Sequence, residues 1–399
     1  MAAPLPRFAK ALMRALRFPE RCTEDLSRLS EREWRDLLAF SDPAQLTLLL
    51  GCVAAGALPD WVRDRIRGNA ADYAPRFCRL RHALVEIGSV FEQRGIEYAV
   101  LKGIAHSPDF TPDRMLRATG DIDLWCRPEQ VMEARDVLAE IGFRVAGESP
   151  GRHLAPMVRE RDWQWTGNYF AADLPIAVEL HFELWDEAAE FIAAPGTDDF
   201  WNRRVLTAFD GRRLPVLAPP DALGFACLHS LMHILHGDLR LQRAWEIAHF
   251  LHERANDGEF WGVWQSLHAP PLRRLEAVIF GLTAAWFGAA LPPAAEAEIA
   301  RLPADVRVWL ENYSFSPVEG LFQPRKDEIW LHLALLESPR HRCAVFLRRT
   351  FPVGRTSMPF FFPARCRHHL RALFPTLAGG IRWWRRRTLP GGAPSGNST

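Results

Sequence analysis

Two carboxylates one residue apart, Asp121 and Asp123, lie within an otherwise apolar, strand-like run. Successive side chains of a β-strand point to opposite faces, so the two aspartates project together while Ile122 and Leu124 point into the core. Neighbouring anions repel each other, and a divalent cation removes that conflict because carboxylate oxygens are good ligands for Mg²⁺. The pair therefore predicts a metal site, with two solvated acids at a strand end as the alternative.

Two further groups complete the candidate site. Lys102 and Gly103 stand where a short β-type run reaches a turn, and a glycine there lets the backbone approach a phosphate. Glu179 and His181 alternate with apolar residues in a later predicted strand, so they share one face. Three carboxylates on neighbouring strands can hold two cations that activate an attacking oxygen and stabilise a leaving pyrophosphate. The pattern favours phosphoryl or nucleotidyl transfer.

The chain around these residues divides by hydrophobic pattern into helical and strand-rich parts. Before Gly95 the apolar spacing is helical, with a capping box at Ser30 and Glu33 and a longer helix over residues 74–94. The next part predicts one helix and several strands, over residues 96–101, 121–126, 163–170 and 176–184. From Pro219 onward we predict a helix capped by Asp221, followed by helices over 239–252, 259–268, 271–290, 294–311 and 327–337.

Length and composition are those of a globular protein with two or three domains. The 399 residues are 48% hydrophobic and 24% charged, which suffices for sizeable cores. We divide the chain into four regions: an N-terminal helical region at 1–95, an α/β core at 96–215, a C-terminal helical domain at 216–338, and an Arg-rich tail with a disordered end at 339–399.

The net charge of +1 conceals an uneven distribution. No Asp or Glu follows Glu337, whereas twelve Arg lie between Arg340 and Arg387, and the part before them has 37 basic against 48 acidic residues. A basic tail on an acidic body indicates an anionic partner, such as a membrane surface. Docking of basic helices on the acidic body is an equally weighted alternative, and nucleic acid is not expected as a partner.

Cysteine usage and hydropathy indicate a cytoplasmic protein, with peripheral attachment to a membrane left open. The seven cysteines form no CxxC pair and are odd in number, which favours reduced thiols over a disulfide framework. The N-terminus lacks the apolar stretch and cleavage site of a secretory signal. The longest uncharged run, residues 277–295, is interrupted by two prolines and is short for a membrane span.

The chain resembles the uncharacterised bacterial nucleotidyltransferases of the polymerase-β-like superfamily. The resemblance is carried by Val100-Leu101-Lys102-Gly103, by Arg117 ahead of Asp121-Ile122-Asp123-Leu124, and by Glu179-Leu180-His181. It implies an α+β fold: a minimal nucleotidyltransferase core with a mixed sheet, flanked by N-terminal and C-terminal helical regions. The wider superfamily has Gly-Ser or Gly-Gly at the phosphate turn, where this chain has Lys102-Gly103.

The resemblance also implies roles and cofactors. Asp121, Asp123 and Glu179 would be the catalytic residues and would bind Mg²⁺ or Mn²⁺, with Glu179 as base toward an acceptor hydroxyl. Lys102, Gly103, Arg117 and His181 would bind the nucleotide or its phosphates, and Arg114 is an alternative to Arg117. The substrate would be an NTP, with ATP expected. The acceptor is unidentified, in natural-product or envelope biosynthesis, and a non-catalytic nucleotide-binding or scaffold protein is the alternative.

Three other features have plainer interpretations. His229, His233 and His236 share a helix face that could bind a metal, but the interleaved apolar residues favour a packed helix that forms a pocket wall. Trp125 falls on the carboxylate face and could stack a base, although core packing is favoured. Aromatic residues among the tail arginines, Phe360 to Pro363 and Trp383-Trp384, suit a membrane surface less well than intramolecular packing.

Overall fold

A mixed β-sheet carries the acidic residues. The computed structural model describes residues 5–149, 151–159, 162–323, 325–350, 374 and 377–385. Within them the sheet has seven strands: β1 (Tyr98–Val100), β2 (Asp121–Cys126), β3 (Arg144–Val145), β4 (Met157–Val158), β5 (Ala177–His181), β6 (Val205–Phe209) and β7 (Arg212–Val216).

The strand order is β3-β4-β5-β2-β1-β7-β6, with β2 at the centre. Strand β2 pairs in parallel with β5 and antiparallel with β1, and β1 pairs in parallel with β7. The remaining pairs, β3 with β4, β4 with β5 and β6 with β7, are antiparallel. The parallel pairing of β2 and β5 places two acidic segments side by side in the same direction.

Helices surround this sheet and form most of the described chain. The α-helices before β1 are α1 (Arg7–Ala15), α2 (Glu24–Ser27), α3 (Glu31–Ser41), α4 (Thr47–Val53) and α5 (Asp60–Arg94). Between strands lie α6 (Val131–Glu140) and α7 (Glu187–Glu190). After β7 follow α8 (Pro219–Leu235), α9 (Leu241–Glu253), α10 (Gly258–Leu267), α11 (Pro270–Phe287), α12 (Pro293–Ala300), α13 (Ala304–Tyr313), α14 (Ser316–Gly320), α15 (Glu328–Leu335) and α16 (Pro339–Thr350).

The two faces of the sheet have different environments. The even-numbered residues of β2 and β5, such as Leu124 and Leu180, are buried with α5 and α6 in one hydrophobic cluster. Burial of each such side chain contributes about 1.5–3 kcal/mol, so this face anchors the strands. The opposite face, which carries the acids and Trp125, belongs with the second and larger cluster, formed mainly by helices from both ends of the chain. The acids therefore lie between the sheet and the helices.

Helix α5 fixes the approach to β2 through a buried arginine. Arg76 is fully buried and donates to the backbone carbonyls of Ala118, Tyr169 and Ala171 at 3.0–3.4 Å. The Tyr73 hydroxyl accepts from the Thr119 amide at 3.3 Å. A buried guanidinium with carbonyl partners holds three chain segments in one arrangement. This arrangement fixes the position of Asp121, the first residue of β2.

The structure confirms the α+β fold class, with a mixed sheet flanked by N-terminal and C-terminal helices. It also confirms the capping box, since Ser30 Oγ accepts from the Glu33 amide and Glu33 accepts from the Ser30 amide. Gly95 ends α5 in the left-handed conformation, at a φ of 67°. The division into four regions stays a prediction, and the larger hydrophobic cluster contains residues of both helical regions.

Several predicted elements were wrong. Residues 163–170 form no strand, because the Tyr169 carbonyl binds Arg76 and Gly167 adopts a φ of 85°. Asp221 is not a helix cap: α8 begins two residues earlier at Pro219, and Asp221 is buried against Arg203 and His268. The helix predicted over 294–311 is two helices, α12 and α13, since Pro303 interrupts the hydrogen-bond ladder.

The hairpin of β6 and β7 was missed, although the sequence signals it. Asp210-Gly211 connects the two strands, with φ values of 49° and 75°. Positive φ at both central residues defines the hairpin turn for which Asp-Gly is a preferred pair. The strand pattern itself is weak, because four of the five β6 residues are exposed.

The part of the tail that the structure describes packs on the acidic body. Arg349 of α16 pairs with Glu328 at 2.9 Å, and Arg382 pairs with Asp327 at 3.0 Å. Trp383 is buried near Tyr313, whereas Trp384 is exposed. The aromatic segment Phe360–Pro363 and the end predicted to be disordered, residues 390–399, lie outside the described residues. Among the described helices, none has the length and hydrophobicity to cross a bilayer.

Candidate active site

The three predicted carboxylates share one face of two adjacent strands. The parallel register of β2 and β5 places Asp123 opposite Glu179 and Asp121 opposite Ala177. In both strands the acids alternate with buried apolar residues, so all three point away from the α5–α6 side. His181, opposite Trp125, lies on the same face. The structure therefore brings together the residues that the sequence placed far apart.

Asp123 is the buried acid of the three, and neighbouring side chains of the protein compensate its charge. Its Oδ1 lies 2.9 Å from Lys102 Nζ and 3.0 Å from His181 Nε2, and its side chain is 1% exposed. Burial alone would raise the pKa of Asp123, but the Lys102 charge and the hydrogen bond from His181 outweigh it and hold the pKa well below its usual range. Asp123 is therefore an anion under all ordinary conditions, with an ammonium group already bound to it.

Asp121 is the accessible member. Its side chain is 30% exposed, and its Oδ2 lies 3.9 Å from the same Lys102 Nζ. Thr119 Oγ1 donates to Asp121 Oδ1 and orients the carboxylate. The turn that follows Lys102 begins at Gly103, whose φ of 66° favours glycine, and a Cβ there would meet Thr119 Oγ1 only at 3.9 Å. Glycine is thus required by the backbone angle rather than by close packing.

A cleft of about 380 Å³ opens over the acids, between the sheet and helices α8 and α9. The sheet side contributes Lys102, Asp121, Glu179 and His181, and the helix side contributes side chains of α8 and of the start of α9. This volume lies in the range of small-molecule sites. The helical region after β7 therefore supplies the second wall of the cleft, although no motif in its sequence predicts this role.

Two arginines in this cleft were missed from the sequence. Arg243 on α9 and Arg152 before β4 line the cleft, and neither lies within 4 Å of a carboxylate among the described residues. Burial lowers the pKa of both guanidiniums, against the attraction of nearby acids. Half-buried cations without a paired acid are suited to bind an anion. Arg243 stands in the helix predicted over residues 239–252, but one arginine among the 46 of the chain gives no signal by itself.

His229 and His233 of α8 and His236, which directly follows α8, all line the cleft. His229 and His233 lie with their Nε2 atoms 3.3 Å apart, Arg243 contacts His229, and His236 binds Glu190 at 2.9 Å. Burial and the charge of Arg243 lower the pKa of His229 well below its usual value and that of His233 to about 3, so both rings are neutral. The interpretation of this helix as a pocket wall agrees with these contacts.

Arg117 has a different environment from the other predicted phosphate ligands. It is buried, it does not line the cleft, and its Nη1 lies 3.4 Å from Glu246 Oε1 of α9. His106 Nδ1 lies 3.3 Å from the same carboxylate. Arg114, the alternative, donates to the Ile104 carbonyl and stacks on Phe209. In this structure Arg117 links the turn before β2 to α9, and a phosphate contact by Arg117 stays a prediction.

The donor set fits a divalent cation. Asp121 and Glu179 both open onto the cleft, and each offers carboxylate oxygens, the donors that Mg²⁺ and Mn²⁺ prefer. Asp123 would contribute only by sharing its oxygens with Lys102, which already lies 2.9 Å away. The donor types of Asp121 and Glu179 therefore suit a cation, and metal binding by Asp121, Asp123 and Glu179 stays a prediction.

Comparisons with known proteins identify the family of this chain. A model of the family described as uncharacterised nucleotidyltransferase matches residues 30–288. No curated protein matches the sequence. Among solved structures, an antigenic nucleotidyltransferase-like protein from Paracoccidioides brasiliensis is similar at 15% identity and a TM-score of 0.32, over 54% of this chain and 95% of that chain. Because the family match spans well over half of its residues, this chain belongs to the uncharacterised nucleotidyltransferase family.

Proposed function

We propose that this protein transfers a nucleoside monophosphate from an NTP, with ATP expected, to an acceptor hydroxyl or phosphate. The observation that carries the proposal is the parallel register that sets Glu179 beside Asp123, with Asp121 on the same face, at the floor of a cleft of about 380 Å³. Three acids on adjacent strands serve no packing purpose, since they repel each other. Their concentration in a cleft is expected where cations and phosphates must be bound together.

Cationic side chains around the cleft suit the triphosphate. Lys102, Arg152 and Arg243 line it from three different segments, and the two arginines have no carboxylate within 4 Å among the described residues. Guanidinium groups bind phosphate oxygens through paired, charge-assisted hydrogen bonds. The acids would hold the cation at one side of the nucleotide while the arginines bind its remaining charge.

The catalytic roles follow from exposure. Asp121 and Glu179 are the accessible acids and would hold Mg²⁺ or Mn²⁺, which supplies charge neutralisation and activation of the acceptor oxygen. Glu179 would also take the proton from the acceptor hydroxyl. Asp123, 1% exposed, would act from below as the partner that positions Lys102 and His181. The acceptor is a small molecule, peptide or protein, in natural-product or envelope biosynthesis.

The test is nucleotide transfer by the purified full-length chain. Each of the four α-³²P-labelled NTPs is incubated with Mg²⁺ or Mn²⁺ and a panel of acceptors, and both labelled product and pyrophosphate are measured. Asp121→Asn and Glu179→Gln keep the side-chain shape but remove the charge, and we expect each to lower turnover by at least about 100-fold. Glu187→Gln, an exposed acid of α7 that does not line the cleft, is the matched control and should be fully active.

Equal pyrophosphate release by the wild type and by Asp121→Asn would contradict the assignment of the acids. So would loss of activity in the Glu187→Gln control, because it would point to a general effect of charge. Thermal melts of each variant without nucleotide separate a folding defect from a chemical one.

A second candidate is a nucleotide-binding protein without chemistry, and one observation favours it. Lys102 Nζ lies 2.9 Å from Asp123, so the lysine ammonium is already bound to an acid that the family resemblance assigns to a metal. This candidate predicts that NTPs raise the melting temperature of the protein while no pyrophosphate is released with any acceptor. Pyrophosphate release that depends on Asp121 would exclude it.

A further inference from the structure

We propose that His153, Glu179 and His181 form a binding site for one divalent transition-metal ion. The expected ion is Zn²⁺. The site shares Glu179 with the acids of the proposed transfer reaction but has imidazole ligands that Mg²⁺ does not favour. The inference rests on the proposed function only for the ion's use in catalysis, since binding of the ion requires only these three side chains. His153 was not singled out from the sequence.

The backbone holds the three residues in adjacent positions. Residues 152–154 run antiparallel beside the end of β5, where the Leu154 amide donates to the Leu180 carbonyl at 2.9 Å. The Phe182 amide donates to the Arg152 carbonyl at 3.1 Å on the other side of the pair. His153 therefore sits directly across from His181, with their ring centroids 4.7 Å apart. Main-chain hydrogen bonds, rather than a flexible loop, determine this placement.

The distances suit one ion between three ligands. Glu179 Oε2 lies 3.6 Å from His153 Nε2 and 3.7 Å from His181 Nε2, and one donor atom from each residue lies within 4.8 Å of the others. Zn²⁺ binds nitrogen and oxygen at about 2.0–2.2 Å, so two of its ligand atoms lie about 3–4 Å apart. Movements of less than about 1 Å would therefore complete the coordination.

The hydrogen bond of His153 leaves a lone pair that faces an anion. His153 Nδ1 lies 2.7 Å from the Leu154 carbonyl oxygen, which can only accept, so Nδ1 carries the proton. In the neutral ring Nε2 is then an acceptor, and it faces the carboxylate Oε2 of Glu179 at 3.6 Å. Two acceptors that face each other repel, and a cation between them converts that repulsion into binding.

The carbonyl contact is also what a metal-binding histidine needs. Imidazole ligands of metals usually donate their second nitrogen to a carbonyl or a carboxylate, which fixes the tautomer and the orientation of the ring. His153 has this arrangement before any ion is bound.

His181 directs its polar contacts to the same point. Its Nε2 lies 3.0 Å from Asp123 Oδ1 and 3.7 Å from Glu179 Oε2, while Nδ1 is buried and has no hydrogen-bond partner among the described residues. Without an ion, the protonated Nε2 donates a hydrogen bond to Asp123. With an ion, the neutral ring carries its proton on Nδ1 and offers the Nε2 lone pair to the metal. Both states use the same side of the ring.

Two histidines and one carboxylate select the type of ion. Imidazole suits Zn²⁺, Co²⁺, Ni²⁺ and, more weakly, Mn²⁺, and three protein ligands leave positions open for water or a substrate oxygen. His153, Glu179 and His181 all line the cleft, so those open positions face the space assigned to the nucleotide. The site would therefore bind a transition metal that can also contact a phosphate.

Metal binding by the chelator-treated, full-length protein tests the inference without any measurement of activity. We titrate it with Zn²⁺, followed by calorimetry, and with Co²⁺, followed by visible absorption. The d–d bands of bound Co²⁺ respond to nitrogen ligands. We expect one ion per chain, and a loss of affinity of about 100-fold or more in His153→Ala. His236→Ala removes another histidine of the same cleft and should leave the affinity unchanged. Equal affinity in His153→Ala and wild type, or no cobalt bands, would overturn the site.

Asp121→Asn separates this inference from the proposed function. It removes an acid of the transfer site but none of the three ligands, so we expect Zn²⁺ binding to persist while transfer is lost. Magnesium-dependent transfer by a wild type that binds no Zn²⁺ or Co²⁺ would overturn the metal site alone. Tight binding of Zn²⁺ by a chain that transfers no nucleotide would support the site and contradict the proposed function. Circular dichroism of each variant confirms that it is folded.

Discussion

Lys102→Met removes the cation that is bound to the buried acid of the site. Lys102 and Asp123 have side chains that are 5% and 1% exposed, and their charged atoms are 2.9 Å apart. Methionine matches lysine in length but has no charge. In the variant Asp123 keeps only the hydrogen bond from His181, at 3.0 Å, and its charge is left buried without an ionic partner.

Two independent estimates of the stability lost in Lys102→Met agree. Removal of one partner from a buried ion pair costs about 3–5 kcal/mol. The variant can limit the cost by protonating Asp123, whose usual pKa is 3.8. To protonate such a group at pH 7 costs about 4 kcal/mol, from about 1.36 kcal/mol per pKa unit. We therefore expect Lys102→Met to lose about 4 kcal/mol of the free energy of unfolding at pH 7, in the presence of chelator.

The dependence on pH has a definite sign. In the wild type the pKa of Asp123 is depressed, so its interaction with Lys102 stabilises the fold above pH 3.8 and is lost as the pH falls. In the variant, protonation of the buried Asp123 costs less as the pH falls from 7 toward 3.8, so the difference between wild type and variant should be largest near pH 7 and shrink toward pH 4. If the acids bind a divalent cation, Mg²⁺ or Mn²⁺ should restore part of the lost stability in Lys102→Met, because the ion replaces the missing charge.

Urea denaturation followed by tryptophan fluorescence measures these effects, with chelator and then with metal. Asp123→Asn and the double variant Lys102→Met/Asp123→Asn complete a mutant cycle. We expect the double variant to be more stable than the sum of the single losses predicts, since it contains no unpaired charge. A Lys102→Met variant within about 1 kcal/mol of the wild type, or purely additive losses, would refute the buried ion pair.

Two further predictions concern the cleft and the fold. Arg243→Gln should weaken binding of ATP by about 10- to 100-fold in calorimetry, because a charge-assisted hydrogen bond is worth about 1.5–3 kcal/mol, whereas the exposed Arg240→Gln should change little. Although burial opposes it, the carboxylates of Glu276 and Asp221 raise the pKa of His268 to about 9 from its usual 6.5. Protonation of His268 therefore stabilises the fold by about 3 kcal/mol below pH 6.5, and this is lost as the pH rises through 9. Melting temperatures should fall over that range in the wild type and fall less in His268→Gln; an unchanged slope would contradict the network.

The arrangement of charges explains why the site tolerates so many acids. Lys102 compensates the buried Asp123, whereas Asp121 and Glu179 are the two strand acids that open onto the cleft. Arg152 and Arg243 line the same cleft. A site that contains both acidic and basic side chains suits a cation bound to a polyanion better than a site of one charge alone.

Much of the site could be predicted from alternation along single strands. Asp121-x-Asp123 and Glu179-x-His181 each share a face because the side-chain period of a strand is two, and this holds for any partner strand. The capping box at Ser30 and the end of α5 at Gly95 were also predictable, because both depend on neighbours within four residues. The alternating aromatic residues of 163–170 wrongly predicted a strand. The conformation of this segment depends instead on the buried Arg76, which binds the Tyr169 carbonyl and lies 93 residues earlier in the chain.

The sequence by itself determined which acids could act together on each strand, since local geometry fixes that pattern. Only the tertiary structure decided that β5 pairs in parallel with β2, which sets Glu179 beside Asp123. It also decided that Lys102 binds Asp123, that Arg117 is held by Glu246, and that Arg152, His153 and Arg243 line the cleft. These contacts join residues up to 129 positions apart, and no short-range pattern encodes them, because charge pairing depends on which segments the folded core brings together.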